Sequence, residues 1–194
     1  MTKAFWLIAP YAAWMVLMVA LPATASGYAV RSAATAALLV PTLYAWVAGG
    51  CRGILKSLKW GVPVGLAVFA VWILPEQFGW ELYRRFFIVG EGGTQSIAET
   101  GTVLLAVRLA GSAFVIAVAE ELFFRRWLMD FAGFWWMVGL FAVEHDRWLV
   151  GAVAGVAYGL LCLRRGLGAA IVAHVTTNLV LGLWVIHTGQ WQFW

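Results

Sequence analysis

Apolar residues run in long blocks along this chain, and polar residues collect between the blocks. Seven blocks stand out, at roughly 5–22, 28–48, 60–75, 102–129, 132–146, 148–163 and 167–188. Most approach the length of about 20 apolar residues that a helix needs to cross a bilayer. Inside lipid, every backbone N–H and C=O must find its partner within the protein, which makes such blocks helices. The third and fifth are short, which predicts tilted, kinked or partly re-entrant segments. The stretch from Pro75 to Thr100 interrupts the pattern with Glu76, Glu81, Arg84, Arg85, Glu91, Glu99 and the turn Gly90-Glu91-Gly92-Gly93. It reads as an extramembrane connection carrying a short amphipathic helix near Trp80 to Val89. The expected fold is all-α: a polytopic transmembrane helical bundle of about seven segments (six to eight) in one domain over 1–194. Residues 1–100 supply the N-terminal helices and the connection, and 101–188 the helices that carry the motifs.

Composition strengthens this picture. Hydrophobic residues make up 63% of the chain and charged residues 11%, against about half and a quarter in soluble domains. The apolar surface exceeds what a water-soluble fold of this size hides, so lipid is part of the solvent. The formal net charge of +4 is read as membrane topology and not as nucleic-acid binding. Lys3, Arg52, Lys56, Lys59, Arg125, Arg126, Arg164 and Arg165 fall on one side of the bundle; Arg31, Arg84, Arg85 and Arg147 fall on the other. This bias places the N-terminus in the cytoplasm and the C-terminus outside, in a cell inner membrane. Lys3, the apolar run and Ala23-Thr24-Ala25 imitate a signal peptide, but the run from Phe5 to Leu21 is long enough to span and reads as a retained first helix. Trp191-Gln192-Phe193-Trp194 fits an interfacial aromatic anchor. Gly151, Gly155 and Gly159 give the sixth segment a smooth ridge for close packing. Cys51 and Cys162 form neither a C-x-x-C motif nor a disulfide framework.

Ionisable residues inside spans are expensive, and each is a functional candidate by default. Glu120-Glu121 is followed four residues on by Arg125, Phe141 by His145, and His174 by Asn178. If the fourth segment ends near Asp130, Glu120 lies about 15 Å deep at 1.5 Å per residue. His145 lies about 18 Å along the return helix, and His174 and Asn178 about 10 and 16 Å into the last. Three helices thus carry these side chains to one level.

Their chemistry suits attack of water on an amide. A carboxylate in a low-dielectric site is a competent base, and a neighbouring His shares and activates its water. A second His and an Asn carboxamide offer N–H donors to a developing oxyanion. Arg125 is placed to hold Glu121 through a fork of hydrogen bonds, although such i,i+4 pairs are as often structural. Glu144, Asp146 and Arg147 read as a solvated segment end. No H-E-x-x-H is present, so the zinc-protease helix is absent. No cofactor is expected; a zinc ion on Glu120, His145 and His174 is the lesser reading. Two rival classes stay open. One is a non-catalytic immunity or scaffold protein, in which Glu120→Ala leaves function intact. The other is a small transporter whose carboxylates carry protons across a continuous wet path.

Glu120-Glu121-Leu-Phe-Phe-Arg125, Phe141-Ala-Val-Glu-His145 and His174-Val-Thr-Thr-Asn178 match in order and spacing the E-E-x-x-x-R, F-x-x-x-H and H-x-x-x-N motifs. Here the chain resembles the CAAX prenyl protease and bacteriocin-processing (CPBP or Abi) superfamily. Glu144-His145-Asp146-Arg147-Trp148 and the segment from Thr188 to Trp194 look most like the bacterial CAAX prenyl protease-related group associated with exosortase and PEP-CTERM-type sorting. The resemblance implies a glutamate-dependent intramembrane endopeptidase. It implies that Glu120 and His145 activate water, that His174 and Asn178 stabilise the oxyanion, and that Glu121 and Arg125 belong to the same site. Its implied partners are the bilayer and a membrane-anchored protein or peptide, cleaved near its C-terminal tail.

Overall fold

The computed structural model describes residues 2–48, 53–89 and 101–193. Among these residues eight helices follow one another, α1 (Lys3–Ala20), α2 (Ala25–Ala48), α3 (Ile54–Gln77), α4 (Glu81–Phe87), α5 (Thr102–Ala132), α6 (Phe134–Val143), α7 (Trp148–Arg165) and α8 (Leu167–Thr188), with a single 3₁₀ turn at Trp191–Phe193 after them. No strand occurs among the described residues. α2, α3, α5, α7 and α8 are each long and apolar enough to cross a membrane, while α1 and α6 are shorter apolar helices. The chain is a polytopic helical bundle.

The seven apolar blocks each become a helix, with one correction. The third is not short: α3 runs 24 residues, because Lys56 and Lys59 lie on exposed turns that continue the helix beyond its apolar window. α6 is short, at 10 residues, or about 15 Å of rise. The connection holds α4, an amphipathic piece with Tyr83 buried and Leu82 and Phe86 exposed. The glycine turn expected at 90–93 lies outside the described residues.

Close helix contacts rest on small residues. α6 lies against the glycine ridge of α7: a Cβ on Gly155 would meet Phe141 and Val138 at 3.4–3.6 Å, and one on Gly159 would meet the Phe134 ring at 2.7 Å. α8 packs along α3, α5 and α7. Gly65 permits its approach to α3, since a Cβ there would stand 2.4 Å from the Ala173 carbonyl oxygen. Gly133 and Gly166, with φ of 93° and 90°, turn α5 into α6 and α7 into α8. This left-handed backbone suits glycine, which has no Cβ to clash.

α5 is not a uniform α-helix. Gly111–Ile116 and Glu121–Leu128 are π-helical, and Ala117–Glu120 is a short α-helical stretch between them. Such widened turns release backbone carbonyls from the i→i+4 ladder and are frequent at functional sites.

Arg31, counted on the outer side, and Arg147, read as part of a solvated segment end, are both buried. Arg31 has its guanidinium over the Trp14 and Tyr28 rings at 5.3 and 5.4 Å. Arg147 is ion-paired to buried Glu76 at the end of α3 and lies 4.5 Å from the Phe193 ring centroid. In a low-dielectric setting an unpaired guanidinium is too costly, so each folds inward onto an aromatic face or a carboxylate.

Candidate active site

The polar side chains of α5, α6 and α8 converge inside the bundle. Glu121 is fully buried; its Oε1 accepts from His174 Nδ1 at 2.9 Å and lies 2.9 Å from Arg125 Nη1. His174 Nε2, on the far side of the same ring, is 3.6 Å from Glu120 Oε2. One imidazole therefore stands between two adjacent carboxylates. Its ring is held by Tyr158 of α7, stacked at 4.9 Å and 24°, and the Tyr158 hydroxyl donates to Thr177 at 2.6 Å.

Arg125 does not make the expected fork. Its single close approach to Glu121 lacks hydrogen-bond alignment, and its nitrogens have no aligned acceptor among the described residues. The guanidinium lies instead 4.0 Å from the Phe141 ring centroid and 5.4 Å from that of Tyr158. Charge attraction to Glu121 and stacking on π-faces together hold it, a combination open to a planar guanidinium.

His145 Nδ1 pairs with the Phe141 carbonyl at 2.7 Å. A carbonyl only accepts, so Nδ1 carries the proton and Nε2 keeps its lone pair. One ligating atom from each of Glu120, Glu144 and His145 lies within 4.8 Å of the others. Glu144 is therefore not a solvated loop residue: it is half-buried and accepts a hydrogen bond from Tyr11 of α1 at 2.6 Å. The end of α6 turns its carboxylate inward with His145. Among the described residues this is the group with metal-holding spacing, and it differs by one residue from the trio named for the lesser, zinc-holding reading. Glu144 takes the place of His174, whose Nδ1 is engaged by Glu121.

Asn178 of α8 donates from Nδ2 to the Ser112 carbonyl at 2.9 Å. Ser112 lies in the first π-helical stretch, where the widened turn makes that carbonyl available. A cavity of about 210 Å³ opens beside these groups, lined by Trp72, Ser112, His145, Tyr158, His174, Asn178 and Phe193 among others.

The fourth, fifth and seventh apolar blocks thus bring Glu120, Glu121, Arg125, His145, His174 and Asn178 into one region. Sequence reasoning missed Tyr11, Tyr158, Ser112 and Glu144. Tyr158 was within reach of the rule that selected the others, being a hydroxyl in an apolar span on the glycine-ridged helix. Tyr11 carries no such signal, because an aromatic in a first helix is ordinarily packing.

A helical membrane bundle with a buried carboxylate–imidazole cluster at a cavity is the class that fold and geometry define. Residues 102–180, less than half of the chain, match the family model described as Type II CAAX prenyl endopeptidase Rce1-like. The match covers all three motifs and supports the CPBP superfamily, whose members include CAAX-type intramembrane proteases. No curated protein and no solved structure matches the chain.

Proposed function

We propose that the protein is an intramembrane glutamic-type endopeptidase that hydrolyses a peptide bond near the C-terminal membrane tail of a protein substrate. The observation that carries this reading is the approach of Glu120 and His145 to within 4.8 Å, with His145 on the wall of the cavity. Two such atoms are spaced to share one water, each at about 2.6–3.2 Å. Glu120 takes a proton from that water, and the bare Nε2 of His145 accepts its other hydrogen. The water oxygen bonds to the scissile carbonyl carbon, and the carbonyl π pair moves to oxygen. Asn178 has a second N–H to give that oxyanion, since Ser112 takes only one. His174 donates from Nδ1 to Glu121, and its Nε2 gives a second donor to the oxyanion only when that nitrogen also carries a proton. Collapse of the adduct breaks the C–N bond, and the proton held by Glu120 passes to the leaving amine.

The proposed substrates are membrane-anchored proteins handled by exosortase and PEP-CTERM-type sorting, reached in a cell inner membrane with the N-terminus of this chain cytoplasmic. With buried Arg125 set aside on the inner side and buried Arg31 and Arg147 on the outer, the Lys/Arg bias behind that orientation still favours the same side. The test uses purified protein in detergent, a synthetic tail peptide and mass spectrometry of the products. Wild-type protein yields two fragments, and Glu120→Gln yields none. Equal cleavage by Glu120→Gln removes Glu120 as the base, and no cleavage by the wild type on a panel of tails defeats the peptidase reading.

A further inference from the structure

The first helix contributes one polar contact to the site. Tyr11 is buried, its ring stacked on Phe123 at 4.5 Å and edge-on to Phe124 at 5.3 Å. Two aromatic neighbours on α5 fix the ring, and the ring fixes the hydroxyl, which donates to Glu144 Oε2 at 2.6 Å. Glu144 follows the last residue of α6 and precedes His145 in sequence. A carboxylate at a helix end has open solvent available to it, yet this one turns toward Glu120, a second acid in the same interior. Like charges so close repel, so the arrangement needs something to hold it, and the Tyr11 hydroxyl is placed to do so.

We infer that Glu144, oriented by Tyr11, is a positioning residue for Glu120. One ligating atom of Glu144 lies within 4.8 Å of one on Glu120 and of one on His145, which places Glu144 to brace the Glu120 carboxyl beside the water shared with His145. α1 is thereby part of the catalytic apparatus and not only of the wall around it. The inference rests on the peptidase reading, and it concerns Tyr11, outside the three motifs, and Glu144, at an unspecified position of the second.

The full chain in detergent tests it, with a quenched-fluorescence tail peptide that the wild type cleaves. Glu144→Ala lowers kcat by roughly 10²-fold with KM unchanged, the effect of misplacing a base by about 1 Å. Glu144→Gln, which keeps an N–H donor of similar shape, restores most of the rate. Tyr11→Phe gives a smaller loss, and adding it to Glu144→Ala costs nothing further, because the two act through one contact. Wild-type kcat in Glu144→Ala, Gln as harmful as Ala, or additive losses in the double variant each overturn the inference while leaving the peptidase intact. A kcat loss that only tracks a lowered melting temperature does the same. A wild type that cleaves none of the tails overturns both readings together.

Discussion

His174 joins Glu121 to Glu120: its Nδ1 is 2.9 Å from one carboxylate and its Nε2 3.6 Å from the other. Because a single ring serves both, the two acids are not independent, and losing the ring affects base and support at once. His174→Ala is expected to reduce kcat by about 10²–10³-fold, the usual cost of one oxyanion donor. It is also expected to lower the melting temperature in detergent, since Glu121 loses its aligned donor. Cleavage kinetics and a melting curve on one preparation check both. Full activity with a lowered melting point assigns His174 to structure alone.

Arg125 is expected to matter for folding as much as for rate. Arg125→Ala strands the fully buried Glu121 carboxylate, at a cost of roughly 3–5 kcal/mol. Arg125→Lys keeps the charge but not the plane that stacks on Phe141 and Tyr158, so it rescues only partly. Thermal unfolding in detergent reports the order wild type, Lys, Ala. An unchanged curve for Arg125→Ala contradicts the burial of the pair.

The grouping of Glu120, Glu144 and His145 makes metal chemistry directly testable. Purified protein is expected to contain no stoichiometric zinc, and cleavage to survive chelation. Loss of activity in EDTA, regained with added zinc, replaces the glutamate-only mechanism by a metal-bound water.

Two glycines are expected to respond differently to one added methyl group. In Gly65→Ala the Cβ meets a backbone carbonyl at 2.4 Å, whereas in Gly155→Ala its nearest neighbour is at 3.4 Å. The first forces α3 and α8 apart and costs about 1–3 kcal/mol; the second is close to neutral. Comparable melting temperatures for the two variants contradict the close approach of α3 and α8.

The N- and C-termini are expected on opposite faces of the membrane, the N-terminus cytoplasmic. Accessibility of a tag at each end checks this, and both tags on one face exclude the orientation read from the Lys/Arg bias.

The helices were legible because lipid leaves few alternatives: a block of about 20 apolar residues has to become a helix. Depth was legible too, since counting residues along straight helices puts Glu120, His145, His174 and Asn178 at similar levels. Rotation about each helix axis was not. The spacing of His174 and Asn178 did not reveal that His174 reaches both acids while Asn178 turns to Ser112, because both contacts depend on the widened turns of α5. Glu144 was misread for a related reason. Sequence places it at a helix end, and only the packing of α1, remote along the chain, turns its carboxylate inward.

The widened stretches of α5 bear on how this helix tolerates insertions and deletions. Each i→i+5 turn accommodates an extra residue within the helical rise. Glu120 and Glu121 lie at the junction of the two stretches, so their heading around the axis is set by those extra residues and not by distance from either helix end. Deleting one residue between Gly111 and Ile116 lets that stretch relax to an ordinary helix, with the acids still facing α8. The same deletion in a regular helix swings everything beyond it by about 100°. Single-residue deletion scanning along α5 should therefore show an island of tolerated length change beside the acids, flanked by positions where any indel carries the carboxylates toward lipid.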